Sequence, residues 1–206
     1  MDRYQETFNI WNKVAQLYQD KFMNLDLYNE SYDIFCDAIN TKNPKLLELG
    51  CGPGNITKYL LDKRPDFKIE AIDIAPNMIQ LAKQNIPNAS FHVMDVRDID
   101  SLQKQFDGIV CGFCIPYLSD ADVSKLIADC HSLLVKNGIL YLSFVAGDYD
   151  DSGYQKSSHG DRTYFYYHGL ESMLKLLESQ GFKINKIMTV NYTAIEKHTI
   201  LIAVKS

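Results

Sequence analysis

Between residues 45 and 145 short apolar runs alternate with amphipathic stretches. KLLELG (45–50) is an apolar run closed by glycine, as suits a strand covered on both faces. NITKYLLDK (55–63) has helical spacing. KIEAIDI (68–74) predicts a second strand, and PNMIQLAKQN (76–85) a second helix with proline in its first turn. SFHVMD (90–95) predicts a third strand, a short weak helix follows at 99–105, and FDGIVCGF (106–113) predicts a fourth strand. The clearest helix is 119–135, where Val123, Leu126, Ile127, Cys130 and Leu134 share one face, Ser119 and Asp120 offer caps, and Gly138 offers a stop. GILYLSFV (138–145) predicts the fifth strand.

Ahead of this region, Trp11, Val14, Ala15, Tyr18 and Phe22, then Tyr32, Phe35, Cys36 and Ile39, fall at helical spacing, so 9–40 reads as helix broken near 24–30. Behind it, AGDYDDSGYQKSSHGDRT (146–163) has no periodicity and reads as a functional or mobile loop, too long for a simple connection. A helix over 168–181 and two alternating strands, 182–192 and 197–206, close the chain. Strand and helix alternating at short spacing imply an α/β fold with a doubly wound, mostly parallel sheet and helices on both faces. The expected organisation is one domain: a helical lid (1–40), a cofactor-binding core (45–145), a substrate-side loop (146–168), and a terminal helix and hairpin (168–206).

Composition narrows the function. In 206 residues, 46% hydrophobic, there is enough apolar side chain for one full core. A formal charge of -5 speaks against a broad basic face for nucleic acid. No run reaches the roughly 18 apolar residues of a membrane span. MDRYQETFNIWNK lacks the apolar centre of a signal peptide, which implies a cytoplasmic protein. The five cysteines then read as reduced thiols packed as small hydrophobes. Cys111-x-x-Cys114 has no second pair at ligand spacing, so no metal site is expected.

Ligands of such sheets bind beyond the carboxyl ends of the strands. The loop LLELGCGPGN (46–55) sits at such an end. It is not a phosphate loop of the G-x-x-x-x-G-K-[ST] kind, because Lys58 follows Thr57 and lies a full turn inside the helix. It is not the dinucleotide fingerprint either: position 55 is Asn, the third glycine comes early at 54, and Pro53 removes a backbone N–H. Glu48 repels a diphosphate and suits a cation or ammonium group. Asp73, ending the second strand, suits a ribose diol. Asp95, ending the third, suits an exocyclic amine such as that of adenine. Three strand-end acids without a basic clamp fit a ligand with an amine, a ribose and an aminopurine, but no phosphate.

LLELGCGPGN, IEAIDIAPNMI, FHVMDVRDI and FDGIVCGF together resemble the successive motifs of class I S-adenosylmethionine-dependent methyltransferases. The resemblance covers roughly residues 9–145. It implies a Rossmann-like seven-stranded sheet of order 3-2-1-4-5-7-6 with the last strand antiparallel, S-adenosylmethionine as cofactor, and S-adenosylhomocysteine as product. Gly50, Cys51, Gly52 and Gly54 would meet the methionine part, with Glu48 ordering that end through the loop and water. Asp73 would hold the ribose beside Ile74 and Met78, and Asp95 and Val96 would flank the adenine. Cys111 and Phe113 would line the sulfonium side, and Tyr18 resembles the tyrosine that closes over the cofactor. The implied reaction is in-line methyl transfer to a small molecule, driven by proximity and exclusion of water, with a base required only for a protonated acceptor. CIPY (114–117) resembles the tetrad of base-amino methyltransferases, but Cys114 and Ile115 replace its amino-group acceptor and first proline, which weakens a base-methylating reading. Tyr117 and His159 are the candidate catalytic residues, and Tyr117, Tyr154, Tyr164 and Tyr166 the candidate acceptor-binding ones. An RNA or protein methyltransferase, a cofactor-binding regulator without catalysis, and a nicotinamide dehydrogenase are the rivals. A monomer or homodimer is expected.

Overall fold

The computed structural model describes residues 2–156 and 162–206. The central strands are β1 (Lys45–Leu49), β2 (Lys68–Asp73), β3 (Ser90–Val93), β4 (Phe106–Gly112) and β5 (Leu134–Phe144). A separate hairpin, β6 (Gly153–Lys156) and β7 (Arg162–Phe165), precedes β8 (Phe182–Asn191) and β9 (Lys197–Lys205). The main sheet has seven strands in the order β3-β2-β1-β4-β5-β9-β8. Only β9 opposes the other strands, pairing antiparallel with both β5 and β8. This is the anticipated order, with the terminal hairpin supplying the last two places.

Helices cover both faces because the strands are apolar on both. Leu46 and Leu47 are each 1% exposed and point to opposite sides. On Leu47's side pack α6 (Asp120–Leu133) and α7 (Leu170–Ser179), through Val123, Leu126, Ile127, Met173 and Leu177. On Leu46's side pack α3 (Asn29–Ala38), α4 (Asn55–Lys63) and α5 (Pro76–Asn85), through Phe35, Leu60 and Ile79. Ser119 caps α6 by accepting from the Asp122 N–H, and Pro76 opens α5, as their sequence positions suggested.

Four local expectations change. The N-terminal region holds three helices, with α1 (Arg3–Lys13) and α2 (Ala15–Phe22) divided at Val14, ahead of α3. Apolar spacing runs through Val14 unbroken, so periodicity could not reveal the division. The weak helix at 99–105 is a 3-10 turn at Val96–Ser101, capped by Asp95. Helix α6 stops at Leu133, and β5 begins at once, with Asn137 at φ 62 and a register shift opposite Phe106–Gly108. Gly138 is therefore inside a bulged strand, not a helix stop. Finally, 146–163 is not structureless: it contains β6 and the start of β7. Gly153–Lys156 has too little apolar alternation to be read as strand. The candidate His159 lies outside the described residues.

Candidate active site

The glycine loop joins β1 to α4 at the carboxyl edge of the sheet. Gly52 has φ +54 and lies so close to Tyr18 that an added Cβ would sit 3.4 Å from the tyrosine ring. Gly54 has φ +89 and starts α4 from a left-handed conformation, where a Cβ would come within 2.5 Å of Ile86. Gly54→Ala is therefore expected to lose about 1–3 kcal/mol of stability from strained backbone and the clash, measurable by urea unfolding.

Asp73 ties this loop to β2. Its Oδ2 accepts the Gly52 N–H at 2.9 Å, and Oδ1 accepts the Ala75 N–H at 2.8 Å. Burial raises the carboxyl's pKa and these two donors pull it back. A carboxylate has about four acceptor positions, so the pair of backbone bonds leaves capacity for a diol. Asp73 faces a cleft shared with Tyr18, Gly50, Gly52, Ile74 and Met78. Asp95 and Val96 line the same cleft further out, and Phe113 and Tyr117 line it on the β4 side.

Not every predicted position reaches this surface. Glu48, at 1% exposed, lies beneath the loop, with Thr57 donating to Oε2 and no hydrogen-bond partner on Oε1. Burial pushes its carboxyl up to about 8. Cys51, Gly54 and Cys111 are likewise buried behind the lining. Asp95 is engaged by Arg97, whose guanidinium nitrogens reach its oxygens at 2.6–3.1 Å. Arg97 also lies 4.0 Å over the Tyr4 ring and lines the cleft. The cleft edge thus carries one arginine that the strand-end reading passed over, held by a carboxylate already present.

Residues 46–138 match the family model described as a methyltransferase domain. A malonyl-[acyl-carrier protein] O-methyltransferase of Acetivibrio thermocellus is 35% identical over 48% of this chain and 34% of its own length. The aligned segment spans only 34–43% of the first curated relatives it matches. Magnesium protoporphyrin IX methyltransferase from Synechocystis PCC 6803, solved with bound S-adenosylmethionine, superposes with TM-score 0.76 at 17% identity, covering 100% of this chain and 98% of that one. A 1,6-didemethyltoxoflavin-N1-methyltransferase from Burkholderia thailandensis, solved with 1,6-didemethyltoxoflavin and S-adenosylhomocysteine, gives 0.76 at 16% identity, covering 98% and 88%. Residues 46–138 thus match a methyltransferase domain, and the fold of the whole chain is that of S-adenosylmethionine-dependent methyltransferases.

A second chamber adjoins the cleft. Trp11, Tyr18, Gly50, Gly112, Phe113 and Tyr117 border both spaces. The Trp11 indole N–H is buried without a partner among the described residues. In the wall of this chamber, His198 is 6% exposed. Its Nδ1 lies 2.7 Å from the Tyr28 hydroxyl and its Nε2 lies 3.0 Å from Glu196 Oε1. Tyr192 stacks on the imidazole at 4.6 Å, and Phe113 packs edge-on at 4.8 Å. The sequence reading missed this trio. Glu196 and His198 share a face by the two-residue period of a strand, which was the one available signal. Tyr28 lies 170 residues away from His198.

The remaining candidates have structural partners. Tyr154 and Tyr164 line neither chamber and sit in the β6–β7 hairpin, which straps α1: Arg3 lies 4.1 Å over the Tyr164 ring, and Arg162 reaches Glu6 at 3.0 Å and Tyr154 at 4.2 Å. Tyr166 is 5% exposed and packs on Tyr149 and Tyr164. His168 bridges Asp120 at 2.8 Å and the Leu118 carbonyl at 3.1 Å. Cys111 and Cys114 are joined as a disulfide, so the expectation of five free thiols is corrected, while Cys36, Cys51 and Cys130 are free and buried. The 3-10 turn Ile115–Tyr117 folds Cys114 back over the end of β4, and sequence separation alone does not disclose that approach. No group of His, Cys, Asp or Glu able to hold a metal occurs among the described residues.

Proposed function

We propose that this chain transfers the methyl group of S-adenosylmethionine to a small-molecule acceptor by in-line displacement. The observation that carries the reading is Asp73: a strand-end carboxylate that fixes the glycine loop through two backbone N–H groups and still presents free acceptor capacity to the cleft. Asp73 would hold the ribose hydroxyls, Gly50 and Gly52 would admit the methionine part against bare backbone, and Ile74, Met78 and Val96 would enclose the adenine. The bound cofactor supplies a methyl group already activated on a sulfonium sulfur. The chain's task is then to position the acceptor and exclude water. The aromatic walls and the helices of residues 1–40, read as a lid, support that task. The formal charge of -5 favours a small acceptor over RNA, and the O- and N1-methyltransferases among the similar proteins are compatible with one.

No helix among the described residues is long and apolar enough to cross a membrane.

The test is release of S-adenosylhomocysteine when the protein is incubated with S-adenosylmethionine and fractionated metabolite pools. Acceptor-dependent release from at least one pool is expected. Tight product binding with no release from any pool would support the regulator reading instead.

A further inference from the structure

Several features compete for a further role. The β6–β7 strap explains its own exposed aromatics through Arg3 and Arg162, and the Cys111–Cys114 pair belongs to the edge of the cofactor cleft already described. The second chamber carries more. It shares a wall with the cofactor cleft, it is lined by aromatic rings, and a three-residue hydrogen-bond chain beside Phe113, which borders both spaces, forms part of that lining.

Resting on the methyl-transfer reading above, we propose that this chamber receives a flat, uncharged hydroxyaromatic acceptor, whose hydroxyl proton is taken by Tyr28 while His198 takes the proton of Tyr28. Shape and charge both select this class. Phe22, Tyr28, Tyr32, Phe165 and Tyr192 give the space flat apolar walls, which favour aromatic ligands by stacking and edge-to-face contact. Among the described residues lining the chamber there is no lysine or arginine, so a carboxylate or phosphate acceptor would enter unpaired. The single acid, Glu196, is already engaged by His198, so an ammonium group finds no free carboxylate.

The tautomer follows from the partners. Glu196 accepts from Nε2–H, which leaves Nδ1 as the acceptor of the Tyr28 hydroxyl proton. The groups facing the imidazole are the Tyr28 phenol at the start of α3, Tyr192 and Glu196 from the β8–β9 turn, and uncharged Phe113 just after β4. In the transfer, the acceptor oxygen forms its bond to the methyl carbon as the carbon–sulfur bond breaks and its electron pair stays on sulfur. The acceptor proton passes to the Tyr28 oxygen, and the Tyr28 proton passes to His198. The positive charge lost from sulfur reappears on the imidazole, next to the Glu196 carboxylate, and the extra proton later leaves to solvent. Tyr28 is the catalytic residue in this scheme. Glu196 is a positioning residue, holding the ring so that Nδ1 faces the phenol.

The experiment uses the full chain with S-adenosylmethionine and three probes: 7-hydroxycoumarin, 2-naphthol and 4-hydroxyquinoline. Rates are followed from pH 6.5 to 9.5 in wild type, Tyr28→Phe, His198→Gln and Glu196→Gln, alongside calorimetric binding of S-adenosylhomocysteine. The wild type is expected to methylate at least one probe. Tyr28→Phe and His198→Gln should cut kcat about a hundredfold at pH 6.5, with product affinity unchanged. Glu196→Gln should cut it less, and all three deficits should shrink as pH rises through the probe's own ionisation, because an ionised phenol needs no base. A deficit constant across pH would mean the trio merely supports the hairpin and would overturn the proposal. So would S-adenosylhomocysteine binding with no turnover of any probe, or turnover confined to carboxylate or alkylamine controls. Failure of S-adenosylhomocysteine to bind wild type would instead sink the methyl-transfer reading on which the proposal rests.

Discussion

Replacing Asp73 by asparagine is expected to weaken S-adenosylhomocysteine binding about 10–100-fold, the equivalent of losing charge-assisted hydrogen bonds of about 1.5–3 kcal/mol. The substitution keeps the shape but converts one oxygen into a donor. In the folded protein both oxygens accept backbone N–H groups, from Gly52 and from Ala75, so either amide orientation sets a donor against a donor. The unliganded variant should therefore also lose about 1–3 kcal/mol, with the damage concentrated in the glycine loop. Calorimetric titration gives the first quantity and urea unfolding the second. Unchanged affinity in a variant that has lost stability would separate loop support from ligand recognition and remove Asp73 from the binding site.

Glutamine at position 48 is expected to abolish much of the protein's loss of stability between mildly acidic and mildly alkaline pH. Burial lifts the Glu48 carboxyl from an ordinary 4.5 to about 8. Across that window the folded state keeps a proton that the unfolded chain has released, so stability falls as pH rises, and the decline ends near pH 8. The full shift corresponds to about 3–5 kcal/mol. Asp73, also raised by burial, acts in the same direction, so the informative quantity is the difference between variant and wild type. Glutamine carries no titrating proton, although its amide must find a partner where Oε1 has none. The variant should be no more stable than wild type at pH 5.5, and should gain about 3 kcal/mol relative to it by pH 8.5. Parallel stability curves would show that Glu48 is solvated in solution.

The alternation of strands and helices was legible because short apolar-rich runs are separated by amphipathic stripes, and the order of the sheet followed from the resemblance to the methyltransferase motifs. The cleft residues Gly50, Gly52 and Asp73 were legible for a related reason: backbone chemistry at strand ends depends on local spacing. What escaped detection depends on distant approach. Arg97 follows Asp95 by two residues, yet only the 3-10 turn capped by Asp95 turns its guanidinium back onto that carboxylate. Tyr28 meets His198 only after the terminal hairpin has been laid against β5. Tyr154 and Tyr164 looked free for a ligand because their partners, Glu6, Arg162 and Arg3, include residues from the opposite end of the chain.

The central claim is that this cleft was built for a nucleoside joined to a methionine moiety and not for a dinucleotide. Isothermal titration of the wild-type chain with S-adenosylhomocysteine and, separately, with NAD tests it directly. Saturable one-to-one binding of the first and no measurable heat from the second are expected, with the first weakened about 10–100-fold in Asp73→Asn. Saturable binding of NAD, and none of S-adenosylhomocysteine, would contradict it.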